Sequence, residues 1–340
     1  MKGVILVENS FVHPYMPNSV PENKKAMLDE LGINSVEDIY KSIIPDELLY
    51  KERLDIPEPI RSEYELKRHV MGILNRDITT EEYTSFLGAG CYKHQVPAIC
   101  DEINSRGEFL TAYCGDTYSD HGKMQAIFEY TSMMGELLDT DVVSYTTYDG
   151  GQAVASSLRM AVRAVREKGM AGKVILVPKT MNPEIYSQVV QYCRNVAEVR
   201  KIAYEPETGL MDLEELKEQL AKKNVAAVFF ENPTYLGNFE TRGEEIAKLA
   251  HDAGAYCVVQ TEVAALGIME SPVNQGADIV CGDIQPLGMH IQFGGGQAGF
   301  IACNQNMDLV EQFPTYMYGI TETEKEDTYG WGREIGRAHV

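Results

Sequence analysis

Positive charge is the scarcest commodity in this chain. Thirty Lys and Arg face 51 Asp and Glu, a formal net charge of -21. A surface for nucleic acid needs clustered basic side chains, so that class of partner is excluded. The shortage is most severe between Lys248 and Lys325, where neither lysine nor arginine occurs. Long apolar runs are missing too: none approaches the ~20 residues that span a bilayer. The short patch Val4–Val7 ends at Glu8, too brief for a signal-peptide core, and the expectation is a cytoplasmic protein without a membrane segment. The seven cysteines form no Cys-x-x-Cys pair and no His/Cys cluster of zinc spacing, which argues for reduced thiols and against a metal site. Neither an internal repeat nor a low-complexity tract is found.

What is present suits a large soluble α/β fold. The chain has 340 residues, enough for one sizeable domain with appendages. Residues 1–75 read as a mostly helical extension: Ser19 to Leu31, Ser35 to Tyr40 and Pro45 to Leu54 carry helical patterns, and Pro57 and Pro59 mark an extended linker. Met124, Ile127, Phe128, Met133, Met134 and Leu137 recur at helical spacing and are expected to line a buried face. A long helix is expected after Gly151. Strands at 174–177, 199–204, 225–230, 255–259, 277–281 and 297–303 then alternate with helices at 183–193, 212–223 and 243–253. Apolar strands alternating with amphipathic helices predict a mostly parallel sheet covered on both faces, with ligands beyond the carboxyl ends of its strands. The large domain is assigned to 76–303 and the start of a smaller C-terminal domain to 304–333. Residues 334–340 resemble the in-frame translation of a sequencing adapter and are set aside; the native chain is expected to run on past Arg333.

Four segments carry candidate chemistry. Ser85 to Pro97 joins small residues to Tyr92 and His94, a composition that serves a cleft-facing loop better than a strand or helix. Asp149-Gly150-Gly151 opens a helix, where free N–H groups attract an anion; Asp149 is itself an acid, and the preferred reading is a helix cap. Asn232, just after the strand ending at Phe230, is followed by Pro233, which leaves a structural turn and a site loop equally open. Glu262 and Gln285 follow the next two strands, and Gly294-Gly295-Gly296 lacks the lysine of a phosphate-binding loop.

These segments together resemble the glycine cleavage system P-protein, and in particular its subunit 1, which lacks the Schiff-base lysine. Ser85 to Pro97 is similar to that family's S-F-L-G-A-G-x-Y-x-H-x-x-P, and Gly282 to Gly295 to its G-x-x-Q-P-L-G-x-x-x-x-F-G-G. Pro14 to Ser19 resembles the opening signature, and Arg106 to Tyr113 is also close. The segment from Cys114 to His121 departs from the pattern, which bears on whether glycine remains the substrate. The resemblance covers roughly residues 14–333 and implies an aminotransferase-like α/β domain of the pyridoxal-phosphate fold type I. It also implies pyridoxal phosphate carried covalently by a lysine-bearing subunit 2, glycine as substrate, and transfer of an aminomethyl group to the lipoyl arm of H-protein. Tyr92, His94, Tyr113 and His121 become candidates for the active-site entrance, and Asp149, Asn232, Glu262 and Gln285 candidates at strand ends. The lysine gap spans the place where such folds carry the Schiff-base amine. Two rivals stand beside this reading, a non-catalytic assembly paralogue and a free-standing α/β enzyme.

Overall fold

The computed structural model describes residues 12–50, 52, 54–86, 91–107, 109, 121–169 and 172–335. The chain divides into two units, Met1–Ile78 and Thr79–Val340.

Among its described residues the first unit holds three α-helices, α1 (Pro21–Leu31), α2 (Glu37–Lys41) and α3 (Glu63–Leu74). Gly32 ends α1 in the left-handed region at φ 67°, and Ser62 caps α3 by accepting from the Glu65 N–H. None of the three buries a residue. The helix expected over Pro45 to Leu54 is reduced to one 3-10 turn, Asp46–Leu48. Leu48 and Tyr50 are exposed, so no packing sustains a short helix there, and Leu49 is already extended.

The second unit runs α4 (Ala98–Asn104), α5 (His121–Leu138), β1 (Val142–Val143), α6 (Gly150–Glu167), β2 (Val174–Pro178), α7 (Pro183–Cys193) and β3 (Glu198–Ile202). It continues through α8 (Leu213–Leu220), β4 (Val225–Asn232), α9 (Gly243–Asp252), β5 (Tyr256–Thr261), β6 (Ile279–Asp283), β7 (Gly299–Cys303) and α10 (Met307–Val310). A hairpin of β8 (Tyr316–Glu322) and β9 (Tyr329–Ile335) follows. Seven strands form one sheet in the order β1-β7-β6-β5-β4-β2-β3. From β3 to β6 every pairing is parallel, while β7 runs antiparallel to both β6 and β1.

Strand residues alternate between two cores, as the two-residue period of a strand dictates. Ile175, Val177, Phe229 and Val258 face the core built on α6, whereas Leu176, Val228, Val259 and Val280 face the one built on α8 and α9. Helix α6 is buried almost all round because Ala153, Ala155, Ser157, Ala161 and Ala164 let its backbone lie close to the sheet. Full burial of Leu158 and Val162 in it contributes roughly 1.5–3 kcal/mol each. In α5 the buried line is Ile127, Thr131, Met134 and Leu138, spaced at one helical face. Met133 and Leu137 each sit one residue off that line and face outward.

Cys193, Cys257, Cys281 and Cys303 are buried thiols. Burial pushes Cys193 up to about 11 and Cys281 and Cys303 to about 12, and it raises Cys257 as well. Among the described residues no helix is long and apolar enough to cross a membrane, and no group of three metal-binding side chains occurs.

Candidate functional site

A cavity of about 1090 Å³ opens at the carboxyl ends of β4, β5 and β6, within the second unit. Parallel sheets of this kind put their clefts there, because the strand ends and the amino ends of the following helices meet at that edge. Its floor is acidic. Asp149, Glu184, Glu231, Glu262 and Asp283 line the cavity, and no lysine or arginine does among the described residues.

Four of these five carboxylates accept backbone N–H bonds that fix them. Strand β4 extends two residues past its apolar run, so Glu231 lies inside the strand and is only 5% exposed. Burial pushes its carboxyl up to about 7, and N–H donors from Asn182 and Tyr235 pull against that rise. Asp283 closes β6. Its Oδ2 accepts from the Gly150 N–H at 2.9 Å, and its Oδ1 accepts from the Gln285 N–H at 2.8 Å and the Ala298 N–H at 3.4 Å. Burial raises Asp283 above the usual carboxylate range; those N–H donors lower it and neighbouring Asp149 raises it. Glu262 follows β5 and caps the turn Val263–Gly267 by accepting from the Ala264 N–H at 3.3 Å. It too is raised by burial, with the charge of Asp283 adding to the effect.

Asp149 caps α6, accepting from the Gln152 N–H at 2.5 Å and from Gln188 Nε2 at 3.4 Å. The cap expected from sequence is therefore present. Asn232 is held differently. It is 3% exposed, its Oδ1 accepts from the Glu240 N–H and its Nδ2 donates to the Glu240 carbonyl. The side chain clips a loop and is absent from the cavity lining.

The wall comes from the segment around Tyr92. Phe86, Tyr92 and His94 line the cavity, with the Tyr92 and His94 rings edge to face at 6.4 Å. Gln285 ties this wall to the floor. Its Nε2 donates to the carbonyls of Tyr92 at 2.9 Å and Met289 at 3.0 Å, and its Oε1 accepts from the Tyr92 N–H at 3.4 Å. At 1% exposure the Gln285 amide has no water to turn to, so this reciprocal pair fixes where Tyr92 stands. Lys93 braces the outer side, reaching Glu81 at 2.9 Å and the Thr80 carbonyl at 2.8 Å. Tyr113 lies outside the described residues. His121 starts α5, and its side chain also lies outside them.

Tyr92, His94, Asp149, Glu262 and Gln285 thus meet in one cavity, and Asn232 does not. Sequence reasoning passed over Glu231, Asp283 and Gln188. The available signal was an acid one or two residues after an apolar run in the first two; Gln188 carries no local signal because its partner is 39 residues away.

Residues 13–330 match the family model described as the glycine cleavage system P-protein. A protein of Staphylothermus marinus named probable glycine dehydrogenase (decarboxylating) subunit 1 is 35% identical over 322 residues, 92% of this chain and 66% of that one. Its counterpart of the same name in Pyrococcus horikoshii is 38% identical over 310 residues, covering 91% and 67%. The chain thus spans about two thirds of the length of these curated relatives. The crystal structure of glycine decarboxylase (P-protein) of the glycine cleavage system, in inhibitor-bound form, superposes with a TM-score of 0.77 at 30% identity, covering 96% of this chain and 69% of that one. A sphingosine-1-phosphate lyase from Burkholderia pseudomallei shares the fold, with a TM-score of 0.56 at 14% identity over 85% of this chain and 68% of that one.

Proposed function

Because this chain belongs to the glycine cleavage system P-protein family, we propose that it is the subunit without a Schiff-base lysine in a two-chain glycine dehydrogenase (decarboxylating). Its fold is the fold type I of pyridoxal-phosphate enzymes, and the family's chemistry involves that cofactor. The described residues of this cleft do not fit it. Among them no amine lines the cavity to form the imine, and the Gly150 N–H at the head of α6 already serves the Asp283 carboxylate. The absence of any lysine or arginine from the cleft lining among the described residues is the observation that carries the reading.

In the proposal the cofactor is held covalently by a lysine-bearing partner subunit. Glycine is decarboxylated there, and the lipoyl arm of H-protein takes the aminomethyl group. This chain contributes Tyr92 and His94 to the wall of the active-site entrance, positioned by Gln285. Tyr113 and His121 belong to the same entrance in this reading. Residues 304–333 would begin a smaller C-terminal domain. A cytoplasmic setting goes with the proposal, supported by the buried thiols.

Coexpression with a lysine-bearing subunit tests the assignment. Release of CO2 from glycine is expected only when both chains are present. Activity and an imine absorbance band in this chain alone would overturn it. In the reconstituted pair, Tyr92→Phe and His94→Ala are each expected to slow turnover roughly tenfold, the scale of a small loss of positioning. Unchanged rates in both variants would leave the subunit an assembly role only.

A further inference from the structure

The cofactor that this fold accommodates elsewhere carries a phosphate, and the head of a helix is the natural place for it: free N–H groups and the positive end of the helix dipole both favour an anion. Helix α6 has 18 residues and opens with two glycines at the edge of the cavity. Yet two N–H groups of its first turn already have carboxylate partners. Asp283, 133 residues distant in sequence, places Oδ2 on the Gly150 N–H, while Asp149 takes the Gln152 N–H. The flank of Gly151 is filled as well, since a Cβ there would come within 2.6 Å of Gln188 Oε1. A Cβ on Gly150 would meet the Asp283 Cβ at 3.1 Å.

We propose that Asp283 is a resident anion, occupying the phosphate seat with the chain's own carboxylate so that this cleft rejects phosphate monoesters. The charges support this. A phosphate carries between one and two negative charges near neutral pH. At this helix head it would face two carboxylates with no lysine or arginine in the lining among the described residues, and half a positive charge from the helix does not offset them. The carboxylate does for the α6 terminus what a bound phosphate does elsewhere: it satisfies the N–H and balances the dipole. Three N–H donors converge on it, from Gly150, Gln285 and Ala298, so its removal leaves a set of donors that an anion from solution can fill. The inference goes beyond the proposed function and stands whether or not the chain works in glycine decarboxylation.

The test uses the full chain and inorganic phosphate, with chloride at matched ionic strength as reference. Calorimetric titration and thermal melting are read on the wild type, on Asp283→Ala and on the near-isosteric Asp283→Asn. The wild type is expected to ignore phosphate. Asp283→Ala should melt lower in chloride, recover in phosphate, and bind phosphate at least about tenfold more tightly than the wild type, which a single favourable helix-terminus interaction supplies. Should Asp283→Ala not fold, Asp283→Asn decides: it keeps an acceptor for the N–H groups and removes the charge, so tighter phosphate binding than the wild type supports the proposal and equal binding overturns it. Phosphate binding by the wild type as strong as by either variant would also overturn it.

Discussion

The floor and the wall of the cleft are built on opposite principles. The floor is the end of a buried sheet: Glu231, Glu262 and Asp283 lie at the carboxyl ends of three adjacent strands, and each is fixed by backbone N–H donors. The wall is a loop whose tie to that floor is the side chain of Gln285, with Lys93 bracing its outer face. Strands fix positions whatever their side chains carry, so the floor can hold carboxylates that burial disfavours. A loop has no such reserve, and its geometry depends on single residues.

The sharpest way to probe the floor is Glu231→Gln. Burial raises the carboxyl from its ordinary 4.5 to about 7, so Glu231 is neutral in the fold over a range where it is charged in the unfolded chain. A group raised in this way supports the fold fully below about 4.5 and loses that support as pH rises through about 7. The span corresponds to about 3 kcal/mol. Urea unfolding across pH 4.5 to 8.5 should therefore show the variant gaining on the wild type by about that amount. Parallel profiles would mean that the floor does not hold Glu231 against its charge.

A middle-sized effect is expected at the link. Gln285→Ala removes three hydrogen bonds from a buried position and should cost about 2 kcal/mol. Hydrogen exchange should quicken across residues 91–97 and stay unchanged in β4 and β5. If the Tyr92 amide exchanges as slowly as before, Gln285 is not what holds the wall. The smallest effect belongs to the outer brace. Lys93 and Glu81 are 46% and 80% exposed, so Lys93→Ala should change stability by less than about 1 kcal/mol and lose even that at high salt. A larger loss would show that the wall relies on its outer face as well.

Much of the floor was legible in the sequence because strand ends announce themselves. Apolar runs closing at Phe230, Val259 and Cys281 pointed to the three loops that meet in the cavity. The cap at Asp149 was legible for the same local reason. The link was not. Gln285 stood out only as part of a motif, since nothing local says that its partner lies 193 residues away. Asp283 was hidden likewise: its hydrogen bond to Gly150 spans 133 residues. In α5 the sequence suggested one buried face that included Met133 and Leu137, and only the packing shows that the line through Met134 and Leu138 is the buried one. The Pro45–Leu54 pattern was amphipathic enough to suggest a helix, yet helical propensity without burial does not sustain one that short.

The interior sulfur atoms give this chain a built-in stopwatch. Cys193, Cys257, Cys281 and Cys303 sit in the sheet and its covering helix, shielded from reagent and held in the unreactive protonated form. An alkylating agent marks them only when the structure opens around them. Counting the label on each by mass spectrometry would then time the opening of the sheet strand by strand, with no dye or tag added.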